Sequence, residues 1–312
     1  MTPTLHPQAE SLLEDFAAEL APPVDALSPA AVRAASRDRF VRSESPDVGG
    51  RVRDLEIAGP ESELPVRIYE PGGDGPHPVL VYFHGGGWVR GDLDTHDELC
   101  RDLTRRVGCM TVSVGYRRAP EHPFPAAAVD AHGAVEWAAD HVGSLGGDPE
   151  RIAVAGDSAG GNLATVAALM ARDRGGPTPV GQVLFYPATD HAFDTESYRE
   201  HADDPVLSRA AMEWYWSQYL DRALDGRHPY AAPLAARDLS GMPPTTVITA
   251  GVDPLRDDGR AYADRLADHG VPVSYAEYDD VFHAFVSFPE LDRAEEARAE
   301  AATALRDAFD AS

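Results

Sequence analysis

At 312 residues, with 43 % apolar and 25 % charged residues, the chain has the composition of a soluble globular protein. That length suits one large α/β domain, or one domain with an elaboration. Its 52 acidic residues face 27 basic ones, all arginine, for a formal charge of −25; such a surface repels DNA and anionic lipid, which argues against nucleic-acid and membrane-surface roles.

The opening residues, MTPTLHPQAESLLEDF, have no basic or strongly apolar run of the kind a signal peptide needs, so a cytoplasmic protein is expected. Leu5, Leu12, Leu13, Phe16 and Leu20 fall at helical spacing over residues 5–20, before Pro22-Pro23. A second helix is expected to start at Ser28-Pro29, with serine as N-cap and proline at the first helical position. VRDLEIAG and LPVRIYEP then predict a two-stranded hairpin at a sheet edge. From residue 78 onward, strand-like runs (PVLVYF, MTVSVGY, RIAVAG, GQVLFY, TTVITA, VSYAEY) alternate with helical patterns at 95–107, 124–142, 159–174 and 257–269. Alternation of that kind predicts a mostly parallel sheet covered by helices. Residues 191–228, containing AAMEWYWSQYL, interrupt the rhythm and predict an excursion out of the sheet. Cys100 and Cys109 form neither a CxxC pair nor a disulfide framework and fit reduced structural thiols.

The chemistry concentrates in a few short stretches. GDSAGGN (156–162) contains Gly156-x-Ser158-x-Gly160 between a strand and a helix, the setting of a nucleophile elbow. A serine hydroxyl needs a base, itself oriented by an acid. Asp253 in GVDPLRDDG and His283 in DDVFHAF each follow a late strand, in the chain order Ser, Asp, His. Asp257 and Asp258 are rivals for the acid, but both fall in the first turn of the next helix, where acids favour the helix dipole. His84-Gly85-Gly86-Gly87 follows an early strand, and its bare backbone suits N–H donors to an oxyanion, with Ala159 N–H as a further donor. His84 and Gly85 are expected to support that loop. Trp88, Asp157, Tyr186, Trp214 and Phe285 adjoin these motifs, end a strand or lie in the excursion, and are the candidates for substrate contact. The aromatics of the excursion, at helical spacing, more often pack a core than touch a ligand.

A dinucleotide reading fails because the spacing is GxGxxxG with no helix opening behind it. A zinc reading through His96-x-Glu98 fails for want of a downstream PCxxC.

HGGGW (84–88), GDSAGGN (156–162), DPLRDDG (253–259), FHAF (282–285) and YRRAPEHPFPAAAVDA (116–131) together resemble the hormone-sensitive lipase family of bacterial and archaeal esterases. Arg118 stands where an apolar residue, often leucine, is commoner in that family. The resemblance covers roughly residues 64–289. It implies an α/β-hydrolase fold with about eight strands, and oxyanion donors at Gly86 and Gly87. It further implies a helical cap made of residues 1–45 and 191–228 over a core of 46–190 and 229–312. The activity implied is hydrolysis of short- to medium-chain esters by Ser158, His283 and Asp253, with a small-molecule ester as partner and no cofactor or metal; a homodimer is compatible with it. An amidase on the same triad and a non-catalytic receptor on the same fold are the alternatives. The acidic, lysine-free composition fits a high-GC genome and a salt-rich cytosol equally well.

Overall fold

A computed structural model describes residues 5–18 and 22–312. Eight strands form one sheet: β1 (Val52–Ala58), β2 (Glu63–Tyr69), β3 (His77–Phe83), β4 (Met110–Val114), β5 (Gly147–Asp157), β6 (Gln182–Phe185), β7 (Thr245–Val252) and β8 (Val273–Phe282). Their order is β1-β2-β4-β3-β5-β6-β7-β8. The antiparallel hairpin β1–β2 lies at one edge and β2 pairs antiparallel with β4; the other five pairings are parallel. All six strands expected after residue 78 are present, and the hairpin occupies the expected edge.

The helices are α1 (Pro7–Ala18), α2 (Pro29–Phe40), α3 (Asp97–Val107), α4 (Ala126–His141), α5 (Ala159–Arg174), α6 (Glu196–Glu200), α7 (Arg209–Tyr219), α8 (Arg256–Asp268) and α9 (Asp292–Asp310). α2 begins as its cap signal predicts, the Ser28 hydroxyl accepting a hydrogen bond from Ala31 N–H. α1 covers most of the expected span, though Leu20 lies outside the described residues. α6 and α9 go beyond the elements that the alternation picks out.

Side chains alternate across each strand, so the sheet feeds two cores. Val79, Val81 and Phe83 of β3 enter one core with α4, α5 and α8. Leu80 and Tyr82 enter the other with α3, α9 and part of α1. Within that second core Arg298 of α9, 2 % exposed, pairs with Glu98 of α3 and donates to Val286 O just beyond β8. An unpaired guanidinium there would be costly; Arg298 also meets Asp102 at 3.3 Å, and together with the Arg106–Glu295 pair these contacts tie α9 to α3. Both thiols are buried, and burial pushes the Cys109 thiol up to about 12.

Residues 191–228 leave the sheet between β6 and β7. Met212, Tyr215, Trp216 and Tyr219 line the inward face of α7 and join the first core. Trp88 anchors them: it stacks flat on Tyr219 (centroids 4.3 Å apart, planes 3° apart) and leans on Trp216 at 4.5 Å. Phe124 N–H donates to Tyr219 O at 2.7 Å, closing the excursion onto the start of α4. No helix among the described residues is long and apolar enough to cross a membrane.

Candidate active site

In an open parallel sheet, ligands gather outside the carboxyl ends of the strands. β3, β5, β7 and β8 end there on His84, Ser158, Asp253 and His283, within one residue of each strand's end. The turn from β5 into α5 forces Ser158 to φ 56°, ψ −119°, a strained conformation for a non-glycine residue. The turn closes only on bare backbone. A Cβ at Gly160 would collide with the Phe83 and His84 carbonyl oxygens, and one at Gly156 with the Gly160 carbonyl. Ser158 N–H donates to Phe185 O at 2.8 Å, which ties the turn to β6.

His283 Nε2 stands 3.0 Å from Ser158 Oγ, and its Nδ1–H donates to Asp253 Oδ2 at 2.7 Å. Asp253, fully buried, holds its other oxygen against Leu255 N–H at 2.8 Å. Its rivals are engaged elsewhere. Asp257 accepts from Ser197 N–H at 2.8 Å and from Arg256. Asp258 is buried with one carboxyl oxygen unpartnered and makes no bond to His283, and burial among neighbouring acids pushes its carboxyl well above the usual range. Tyr186 stands edge-on to the His283 ring at 4.7 Å and backs it with apolar surface.

The three glycines after β3 are bare for three different reasons. A Cβ on Gly85 would collide with the Asp157 carboxylate, one on Gly86 with Arg90 O, and one on Gly87 with the Tyr215 ring. Gly86 and Gly87 also take φ of 119° and 59°, which side chains resist. The N–H groups of Gly86, Gly87 and Ala159 donate to no other group among the described residues. They therefore stand ready for an incoming acceptor.

Asp157, expected as a substrate contact, lines the cleft and braces this loop. It accepts from Tyr82 Oη (2.8 Å), Gly85 N–H (2.9 Å) and His96 Nε2 (3.3 Å). Burial alone would raise its carboxyl, but His96 and the Tyr82 hydroxyl outweigh that and hold it below the usual carboxylate value. Asp157→Ala would leave Tyr82 and His96 without their shared acceptor and free Gly85. A loss of about 10²-fold in kcat with little change in KM is the expected result, measured on a soluble ester. His84 supports the loop as well: its Nδ1–H donates to Gly85 O at 2.9 Å, and Tyr116 stacks on it at 4.3 Å. Burial pushes His84 down to about 3, so it is neutral near pH 7, with its Nδ1–H engaged by Gly85 O.

The cleft beside Ser158 is lined by Phe40, Arg90, Leu207, Met212, Tyr215 and Ser287 among others, and its free volume is about 40 Å³, roughly three waters. Of the five candidates for substrate contact, Asp157 alone lines it. Trp88 packs under α7, Tyr186 and Phe285 lie fully buried behind His283, and Trp214 meets Tyr215 edge-on from outside. The wall was not picked out in sequence because it is assembled from α2, the glycine loop, the excursion and the turn after His283. For Tyr215 a signal was present: the apolar positions 212, 215, 216 and 219 recur at helical spacing, and 214 is out of phase with them. Just ahead of α7, burial pushes Asp204 up to about 6, although its carboxylate caps the Val206 and Leu207 N–H groups. Among the described residues no cluster of three or more metal-ligating side chains occurs.

A serine on a strained elbow, a base and an acid in line behind it, and free amides in front define a serine hydrolase of the α/β type. The chain matches the family model described as alpha/beta hydrolase fold over residues 80–287. It is 44 % identical over 252 residues to Carboxylic ester hydrolase LipN of Mycobacterium tuberculosis, covering 79 % of this chain and 67 % of that one. Identity to the Ethyl acetate hydrolase of Pseudomonas putida is 38 % over 250 residues, 78 % of either chain. The crystal structure of a thermostable esterase from Pseudomonas putida ECU1011 superposes with a TM-score of 0.94 at 35 % identity, over 99 % of both chains. The chain belongs to the hormone-sensitive lipase family of α/β-hydrolases, and it is a serine carboxylesterase.

Proposed function

We propose that the enzyme hydrolyses small carboxylic esters with short to medium acyl chains through an acyl-enzyme on Ser158. His283 takes the Ser158 proton and returns it to the leaving alcohol, while Asp253 fixes the imidazole tautomer and stabilises its cationic form. Gly86, Gly87 and Ala159 N–H groups meet the oxyanion. The observation that carries this reading is the unbroken line from Ser158 Oγ through His283 to Asp253, at 3.0 and 2.7 Å, facing unengaged amides.

The size preference rests on the small cleft and its roof. Tyr215, Met212 and Leu207 close it from the excursion, and Ser36 and Phe40 of α2 form a second wall. In this reading residues 1–45 and 191–228 act together as a cap. The relative named for ethyl acetate supports the same size class. A rate profile over 4-nitrophenyl esters of increasing acyl length, with Ser158→Ala as the blank, tests it. Turnover is expected to peak at short to medium chains. Faster turnover on long-chain emulsions, with a jump at the oil–water interface, would overturn the size class.

A further inference from the structure

The cleft holds one charge for which hydrolysis of a neutral ester has no use. Arg90 follows the oxyanion glycines by three residues and lines the same cleft as Ser158 and His283. Its N–H donates to Gly86 O at 2.9 Å, and its guanidinium carbon stands 5.6 Å from the Tyr215 ring centre, so backbone and head group are both held. Among the described residues no carboxylate pairs with it. Well-exposed arginines such as Arg37 and Arg209 hold a carboxylate, and partly buried ones such as Arg118 and Arg265 donate to backbone carbonyls. The partly buried Arg90 head group makes neither kind of bond among the described residues. The one carboxylate that lines the cleft, Asp157, is occupied by Tyr82, Gly85 and His96.

We propose that Arg90 receives a carboxylate carried by the substrate, so that the preferred substrates are small esters bearing an anionic group. Monoesters of short dicarboxylic acids and acyl esters of short hydroxy acids are the two forms. The proposal rests on the reading of Ser158 as the ester nucleophile. A guanidinium presents paired donors that match a carboxylate, and such a contact is stronger in a narrow cleft than at an open surface. The net charge of −25 acts against anionic substrates at long range. At ~0.15 M salt the Debye length is only about 8 Å, so most of that repulsion is screened while a contact inside the cleft is not.

The test compares matched pairs near neutral pH at ~0.15 M potassium chloride. Monoethyl succinate is set against ethyl butyrate, and acetoxyacetate against propyl acetate, for the natural protein, Arg90→Gln and Arg90→Lys. In at least one pair the natural protein should favour the anionic member by about tenfold or more in kcat/KM, and Arg90→Gln should erase that ratio mainly through KM. Arg90→Lys should retain part of it, since charge survives and the paired donors do not. Any damage to the loop at Gly86, or a general effect of the charge on the oxyanion, acts on both members alike and cancels in the ratio. No anionic preference in either pair, or a ratio unmoved by Arg90→Gln, would overturn the proposal. Failure of the neutral esters to show any Ser158-dependent turnover would instead overturn the reading of the site on which it rests.

Discussion

Ser158→Ala and His283→Ala are each expected to lower kcat by about 10⁴-fold or more, and the double variant should be little worse than either alone. The geometry explains the non-additivity. Without the imidazole 3.0 Å away, Ser158 is an ordinary alcohol; without the hydroxyl, His283 has no proton to move. Each variant therefore removes the same step. What remains is binding and whatever the free amides of Gly86, Gly87 and Ala159 contribute, which is residual catalysis over water. Asp253→Asn should be severely impaired yet folded, because an amide beside His283 Nδ1 favours the wrong tautomer while filling the same space. Steady-state kinetics on one ester, with circular dichroism to confirm folding, reads all four variants. Multiplicative losses in the double variant would contradict a single shared mechanism. A crippled Asp257→Asn beside a healthy Asp253→Asn would move the acid to the other carboxylate.

Gly160→Ala is expected to reduce activity by about 10²-fold or more and to destabilise the fold by about 1–3 kcal/mol. The added methyl has nowhere to go, since its neighbours are the carbonyls of Phe83 and His84, backbone atoms at the end of a central strand. Relief must come from separating the start of α5 from the end of β3, and that shift carries Ser158 away from the oxyanion loop. Gly175→Ala is the control. Gly175 ends the same helix at φ 70° with open space around it, so an alanine there meets backbone strain without collision. It should lower the melting temperature modestly and leave kcat unchanged. Equal kinetic losses at both positions would mean that helix stability, not the close approach at the elbow, governs the effect.

The strands and most helices were legible because the alternation of apolar and polar residues changes period where the structure does. Strand order was not, since nothing in β2 announces that it pairs with β4 rather than β3. Helix α9 was obscured by its composition: over its first three turns it packs through Ala294, Ala297, Ala301 and Ala302, with Leu305 and Phe309 only near its end, and it buries Arg298. The triad and the glycine loop were legible for a different reason. Their backbone demands confine the choice of residue over short stretches, at Gly156, Gly160 and the glycines 85–87. The wall of the cleft makes no such local demand. Phe40, Arg90, Leu207 and Tyr215 meet only after α2, the glycine turn and the excursion have packed together. The same holds for Asp157, whose partners Tyr82 and His96 come from β3 and the turn before α3.

The stack that seats the roof of the cleft on the oxyanion loop also gives the protein an optical reporter. Of its four tryptophans, Trp88 and Trp216 are inside that stack and Trp214 lies two positions before Trp216 on the same helix, while Trp137 sits apart on α4 against His141. Excitation of indole therefore samples chiefly the roof. Flat contact between Trp88 and Tyr219 permits energy transfer from tyrosine and sets the emission of a dry environment. A ligand that lifts α7 wets these rings and shifts their emission to the red; one that fits beneath the roof leaves the spectrum where it was. The fluorescence of the unlabelled enzyme can thus distinguish entry by opening from entry into a space already shaped, without a chromogenic ester or a dye.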